Sequence, residues 1–190
     1  MRENLARNVH TLTLAGRSAP TLPSLLSNPR LFTSVECLEL DTLNLDGFTR
    51  RGLETCLRNL AGVHTLSFRP MGHFRSFAYF LSQFPKLETL AVTSPKIFRG
   101  ENNACPPEIQ LRRTLALKLT SCNGDDVGSF FSCLKWAGIR CRSIGLEAVV
   151  VDNFASLEEF ITICAGSLKS VQFINYEIRE CRVSTSSVSC

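Results

Sequence analysis

Nine cysteines and three histidines are the residues of this 190-residue chain whose types could do chemistry. The cysteines stand at 37, 56, 105, 122, 133, 141, 164, 181 and 190. A structural zinc site needs thiolate or imidazole ligands paired about two to four residues apart, and no C-x-x-C pair occurs. Cys56, Cys133 and Cys164 fall on apolar positions of helical spacing, where a free cysteine behaves as a small hydrophobe. These are read as structural thiols in a reducing compartment, with no metal and no cofactor. His10 and His64 hold the same place in two related segments. Two strand spacings, roughly 10 Å, are too far for a hydrogen-bonded dyad, and no acid is expected beside them. G-x-S-x-G, G-x-x-x-x-G-K-S/T and H-E-x-x-H are all absent, so neither an activated serine, a phosphate cradle nor a zincin helix is indicated. The chain is read as a non-enzyme.

The formal net charge is +4. Its basic spots are Arg50, Arg51, Arg58, Arg112, Arg113, Arg140 and Arg142. Most fall on return segments or strand starts of different units, where they are not expected to form one stripe. No exposed aromatics interleave with them, as a base-stacking surface requires. Nucleic acid is therefore not an expected partner.

The elements that must position these residues are set by a repeat. VHTLTL at Val9–Leu14 returns as VECLEL, VHTLSF and LETLAV, then more faintly three more times. The first interior apolar residue falls at Leu12, Leu38, Leu66, Leu90, Leu117, Ile144 and Val171. Successive numbers in that series differ by 26, 28, 24, 27, 27 and 27. A period in the twenties with an L-x-x-L-x-L core predicts a leucine-rich-repeat solenoid. The fold class is thus α/β, with about seven parallel strands on the concave face and helices and loops on the convex face. Each unit is a strand and a return segment, and only stacking buries its apolar side. In RRTLALKLTSC two central pairs are open, Leu115 with Leu117 or Leu117 with Leu119. The second regularises the spacing and puts Cys122 where the motif expects Asn or Cys.

Apolar residues at i, i+3, i+4 and i+7 predict helices over Gly47–Ala61, His73–Phe84, Asp125–Ala137 and Asn153–Ala165. Asp125 or Asp126, and Asp152 or Asn153, are the expected N-caps of the last two. The aromatic stripe Phe74, Phe77, Phe84 reads as core. Three prolines leave the first return only a short helix near Leu22–Leu26. Pro95, Gly100, Pro106 and Pro107 predict a loop from Pro95 to Ile109.

The domain reading is a lead-in at 1–8, one leucine-rich-repeat domain at 9–180, and a polar Ser/Cys tail at 181–190. No run of about eighteen apolar residues could span a bilayer, and the N-terminus lacks the unbroken apolar stretch of a signal peptide. An intracellular location, cytoplasmic or nuclear, and no membrane partner are expected. What remains for function is the outward sheet face, whose candidate partner-binding residues are Glu39, Asp41, Arg69, Lys118, Glu147 and Gln172. Asp41 and Arg69 sit at equivalent positions of adjacent strands and could pair with each other.

The strand motif, the variable period and the phrases FPKLETLAV and SLKSVQF resemble the repeat region of intracellular F-box-type leucine-rich-repeat proteins, with a basidiomycete fungal flavour. The resemblance covers Val9 to roughly Ile178. It implies a protein-binding module like the substrate-recognition part of a ubiquitin ligase receptor, with an unidentified protein as partner. In that family an F-box segment of about forty residues docks a cullin-RING adaptor. No such segment precedes Val9 here, so that adaptor is a partner only if an F-box exists upstream. A stand-alone interaction scaffold without a ubiquitin role is the alternative. The chain also departs from the family at the Asn/Cys position, which is Leu43, Met71, Val149 and Tyr176 in four units.

Overall fold

Alternating side chains give each strand one apolar edge, and stacking such strands in parallel lines those edges into a continuous layer. A computed structural model describes residues 9–14, 32–47, 49–98, 111–151 and 154–178. The protein is α/β, built on a parallel sheet that does not close into a barrel. The strands are β1 (Thr11–Leu14), β2 (Cys37–Asn44), β3 (Thr65–His73), β4 (Thr89–Thr93), β5 (Lys96–Phe98), β6 (Thr114–Cys122), β7 (Arg140–Val151), β8 (Ser170–Ile174) and β9 (Glu177–Ile178). The sheet order is β1-β2-β3-β4-β6-β7-β8, the order of the chain itself. The two short strands are off this path, β5 on β3 and β9 on β7, both parallel.

The register carries the repeat. Leu12, Leu38, Leu66, Leu90, Leu117, Ile144 and Val171 pair in one unbroken row. Val92 pairs with Leu119, which selects the second of the two registers for β6. Leu38, Leu66 and Leu90 have no exposed surface, whereas β1 at one end keeps Leu12 and Leu14 half-buried.

The helices are α1 (Arg50–Leu57), α2 (Phe74–Ser82), α3 (Gly124–Trp136) and α4 (Phe154–Cys164). They fall within a few residues of the expected spans, and a 3-10 turn at Arg58–Leu60 extends α1. Their apolar sides share one core with the inward strand residues. Rings run through it in contact: Phe80 on Phe68 at 5.2 Å, Phe77 on Phe130 at 5.6 Å, and Phe131 on Phe160 at 5.0 Å. The aromatic stripe is packing. Each such ring is worth about 3–5 kcal/mol against alanine.

Three local expectations are corrected. The N-cap of α3 is Asn123, so Asp125 and Asp126 lie within its first turn. The segment after Pro95 is not loop throughout, because β5 pairs with Met71–His73 of β3. Asp41 and Arg69 do not oppose one another. A bulge after Leu40 puts Thr42 opposite Arg69, and the extra residue, Asp41, drops out of the ladder. The helix expected near Leu22–Leu26, the caps at 152–153, the rest of the Pro95–Ile109 segment and the tail lie outside the described residues.

Two devices turn the chain between elements. Ser94, Ser121, Ala148 and Asn175 all adopt positive φ, from 42° to 54°, and each stands one repeat interval after the last. Each follows the second inward residue of its strand by two, so the chain turns a corner at one place in four successive units. The other device ends α3. The Gly138 N–H donates to the Lys135 carbonyl at 3.0 Å and the Ile139 N–H to that of Leu134 at 2.9 Å. This is a Schellman closure, with Gly138 at φ 71° where a side chain is disfavoured. Leu134 and Ile139 are both buried beneath it.

Candidate functional site

The sheet face away from the helices carries the outward strand residues. A depression of about 350 Å³ lies on it, over β4, β6, β7 and β8. Its floor is made of small residues: Ala116, Ser143, Gly145 and Ser170. Gly145 sits at the middle, opposite Lys118 on one side and Gln172 on the other. A Cβ added there would come no closer than 3.8 Å to anything, so the hollow exists because this position has no side chain.

Lys118, Glu147 and Gln172 all line the depression. Lys118 Nζ and Glu147 form an ion pair at 2.9 Å with both side chains partly exposed. Exposed pairs of this kind contribute at most about 1 kcal/mol, so either partner is released at little cost to bind something else. Gln172 adds an amide that donates and accepts. The half-exposed Ile174 supplies an apolar edge. Together they offer one cation, one anion, one amide and a hole sized for a side chain.

The other three candidates lie elsewhere. Glu39 accepts a hydrogen bond from the Thr13 hydroxyl at 2.9 Å. Asp41 and Arg69 sit at the β2–β3 bulge. None of the three lines the depression, so the six expected residues separate into two groups of three.

The histidines and cysteines fall out differently. Glu36 stands between His10 and His64: the His10 carbonyl accepts from the Glu36 N–H at 2.9 Å, and the Glu36 carbonyl from the His64 N–H at 2.8 Å. Nδ1 of His10 is 3.7 Å from the Glu36 carboxylate. An acid is therefore beside His10, contrary to expectation, although both partners of the ion pair are well exposed. Cys122, Cys133, Cys141 and Cys164 are buried thiols. Burial pushes Cys122 up to about 11, which keeps it protonated. The Cys141 N–H donates to Cys164 Sγ at 3.2 Å. The thiol hydrogen bond between the two pushes Cys141 up, and burial adds to that. Among the described residues no group of three His, Cys, Asp or Glu side chains converges as metal ligands would.

Sequence reasoning missed a second hollow, of about 560 Å³, where β6 and β7 begin. Arg112, Arg113, Lys135 and Arg140 line it. Three of the seven arginines expected to stay scattered, Arg112, Arg113 and Arg140, thus gather at this point with Lys135, while Arg50, Arg51, Arg58 and Arg142 do not line it. The signal was present in the numbering. One repeat interval separates Arg113 from Arg140, whose N–H donates to the Arg113 carbonyl, and the same interval sets Lys118 opposite Gly145 and Gly145 opposite Gln172 on adjacent strands. No family model matches the chain, no curated protein matches it, and no solved structure matches it. None of the described helices is long and apolar enough to cross a membrane.

Proposed function

We propose that the chain is a leucine-rich-repeat solenoid that holds a segment of another protein against the open face of its sheet. Support for the solenoid comes from parallel strands stacked in chain order and a left-handed corner at the same point of four successive units. The observation that carries the binding role is the depression over Gly145, bordered by Lys118, Glu147 and Gln172. An extended peptide laid across the strands would seat one side chain over Gly145. It would exchange the Lys118–Glu147 pair for contacts of its own. The role of a substrate receptor in an F-box-type ubiquitin ligase rests on the family resemblance of the strand motif.

Filling the hollow tests the reading. Gly145→Phe places a ring in open space on a backbone that accepts any residue, so folding should be retained. Partners cross-linked to the wild-type chain in its native cell should be lost with Gly145→Phe and kept with Thr13→Lys at the far end of the sheet. Identical partner sets for wild type and Gly145→Phe, at equal thermal stability, would refute the sheet-face site. If a lost partner has the same cellular half-life with and without this chain, it is bound and not destroyed. The stand-alone scaffold then replaces the ligase receptor.

A further inference from the structure

The 560 Å³ hollow at the start of β6 and β7 shares no lining residue with the sheet-face site. Three separate stretches of chain deliver its cations. Arg112 and Arg113 lead into β6, Lys135 lies in the last turn of α3, and Arg140 opens β7. The backbone holds these stretches together. The Leu111 N–H donates to the Ala137 carbonyl at 2.9 Å, and the Arg140 N–H to that of Arg113 at 2.7 Å. The Schellman turn at Gly138 reverses the chain between Lys135 and Arg140, so both reach the same hollow.

Like charges gathered in this way repel, and the local backbone is strained as well. Arg112 has φ 44°, a left-handed conformation that costs a non-glycine residue about 1–2 kcal/mol and that clusters at functional sites. The Arg113 guanidinium is half-buried and donates to the Phe84 carbonyl, which fixes its plane. Burial pushes its pKa down, yet a guanidinium remains charged. A desolvated cation attracts an anion more strongly than a solvated one. Lys135 is met by Glu159. Arg140 is in no ion pair among the described residues. The C-terminal end of α3 opposes an anion through its dipole, but the Schellman bonds occupy the Leu134 and Lys135 carbonyls.

We propose that this hollow binds a phosphomonoester dianion. Guanidinium forks match two oxygens of a phosphate at once, and Lys135 adds a point charge. The Thr114 hydroxyl on the rim is a further donor. The volume exceeds that of a single oxyanion, and Ile163 gives the group that carries the phosphate an apolar wall. A doubly charged group gains from each cation twice what a phosphodiester or carboxylate gains. The dianion comes either from a small phosphorylated molecule or from a phosphorylated serine of a protein.

The test uses the full chain and three probes: inorganic phosphate, a short phosphoserine peptide and the same peptide with unmodified serine. Thermal shifts read affinity, because a ligand of the native state stabilises it in proportion to ln(1 + [L]/Kd). Phosphate and phosphopeptide should raise the melting temperature, and the unmodified peptide should not. The phosphopeptide effect should weaken from pH 7.5 to pH 5.5, since the second ionisation of a phosphomonoester lies at about 6. Arg140→Gln, at an exposed position, should bind about tenfold more weakly, the loss expected for one charge-assisted hydrogen bond. Arg58→Gln, far along the chain on the α1 side, should bind as wild type does. Phosphopeptide binding much tighter than phosphate assigns the site to a protein source, and equal affinities assign it to a small molecule. No shift with either phosphate probe, or an equal loss in Arg140→Gln and Arg58→Gln, overturns the proposal.

Discussion

Leu66 and Thr65 are neighbours in β3 with opposite fates. Leu66 has no exposed surface and pairs with Leu38 and Leu90 on either side, whereas Thr65 points to the open face. Leu66→Asp buries a carboxylate without a partner, at a cost of at least several kcal/mol, out of a domain total of about 5–15 kcal/mol. The variant should be insoluble or molten by near-ultraviolet circular dichroism, and Thr65→Ala should melt within a degree or two of wild type. Equal losses would mean that the strand faces are reversed. Asp46 gives a second test. Burial alone would raise its carboxyl, but hydrogen bonds from Ser76 and from the backbone and ring of His73, with the His73 charge, outweigh it and hold the pKa below the usual value. The ring nitrogen of His73 is 2.8 Å away. Since the folded value lies below the unfolded one, its contribution is complete above about pH 4 and vanishes as pH falls through the native value. Asp46→Asn should therefore lower stability near neutrality and flatten its decline in acid; an acid limb identical to wild type would show that Asp46 is not its source. This contact was illegible in the sequence. It joins two neighbouring units past a buried Gly72, where a Cβ would lie 3.0 Å from Asp46.

The helices were legible from spacing alone, because an apolar stripe of helical period has only one way to face a sheet. Their ends were less so. Asp125 and Asp126 compete with Asn123 near the start of α3 in composition but not in geometry, and the cap went to the residue already extended at ψ 155°. Thr49, by contrast, caps α1 by accepting from the Gly52 N–H at 3.1 Å, as its type would suggest. The exit of α3 rests on Gly138. An added Cβ there meets nothing nearer than the Arg112 backbone nitrogen at 3.6 Å, so Gly138→Ala suffers from conformation and not from crowding. The expected loss is about 1–2 kcal/mol, read by chemical denaturation. No loss would mean that the left-handed turn relaxes. The left-handed corners make the converse case. Glycine in a strand normally costs about 0.5–1 kcal/mol, and Ala116→Gly in β6 should show that loss. Ala148→Gly should not, because relief of the φ 51° conformation offsets it, and its melting temperature should equal or exceed that of wild type. A drop as large as that of Ala116→Gly would show that Ala148 is unstrained.

Across the whole molecule, the strand row was readable because one apolar position recurs in every unit. Both hollows follow the same interval, yet neither was anticipated. The sheet-face hollow depends on what Gly145 lacks, and a pattern search scores the side chains that are present. The basic hollow needed the helix exit and two strand starts to be superposed in space. The Asp41 bulge was hidden for another reason: an extra residue in a ladder leaves the apolar alternation on either side intact.

The recurring corner has a consequence for how the molecule comes apart. Ser94, Ser121, Ala148 and Asn175 each hold a conformation that a free chain avoids, so each unit is intrinsically unfavourable taken alone. Its stability must then come from the boundaries it shares with its neighbours. In a one-dimensional array of coupled units, moving free energy from unit to boundary raises cooperativity. A lone unit does not nucleate, and a domain wall within the stack becomes costly. The four corners thus act against partial unfolding between the units that carry them and confine fraying to the edge of the sheet, where Phe173 and Ile174 of β8, and Tyr176 just after it, are exposed to water.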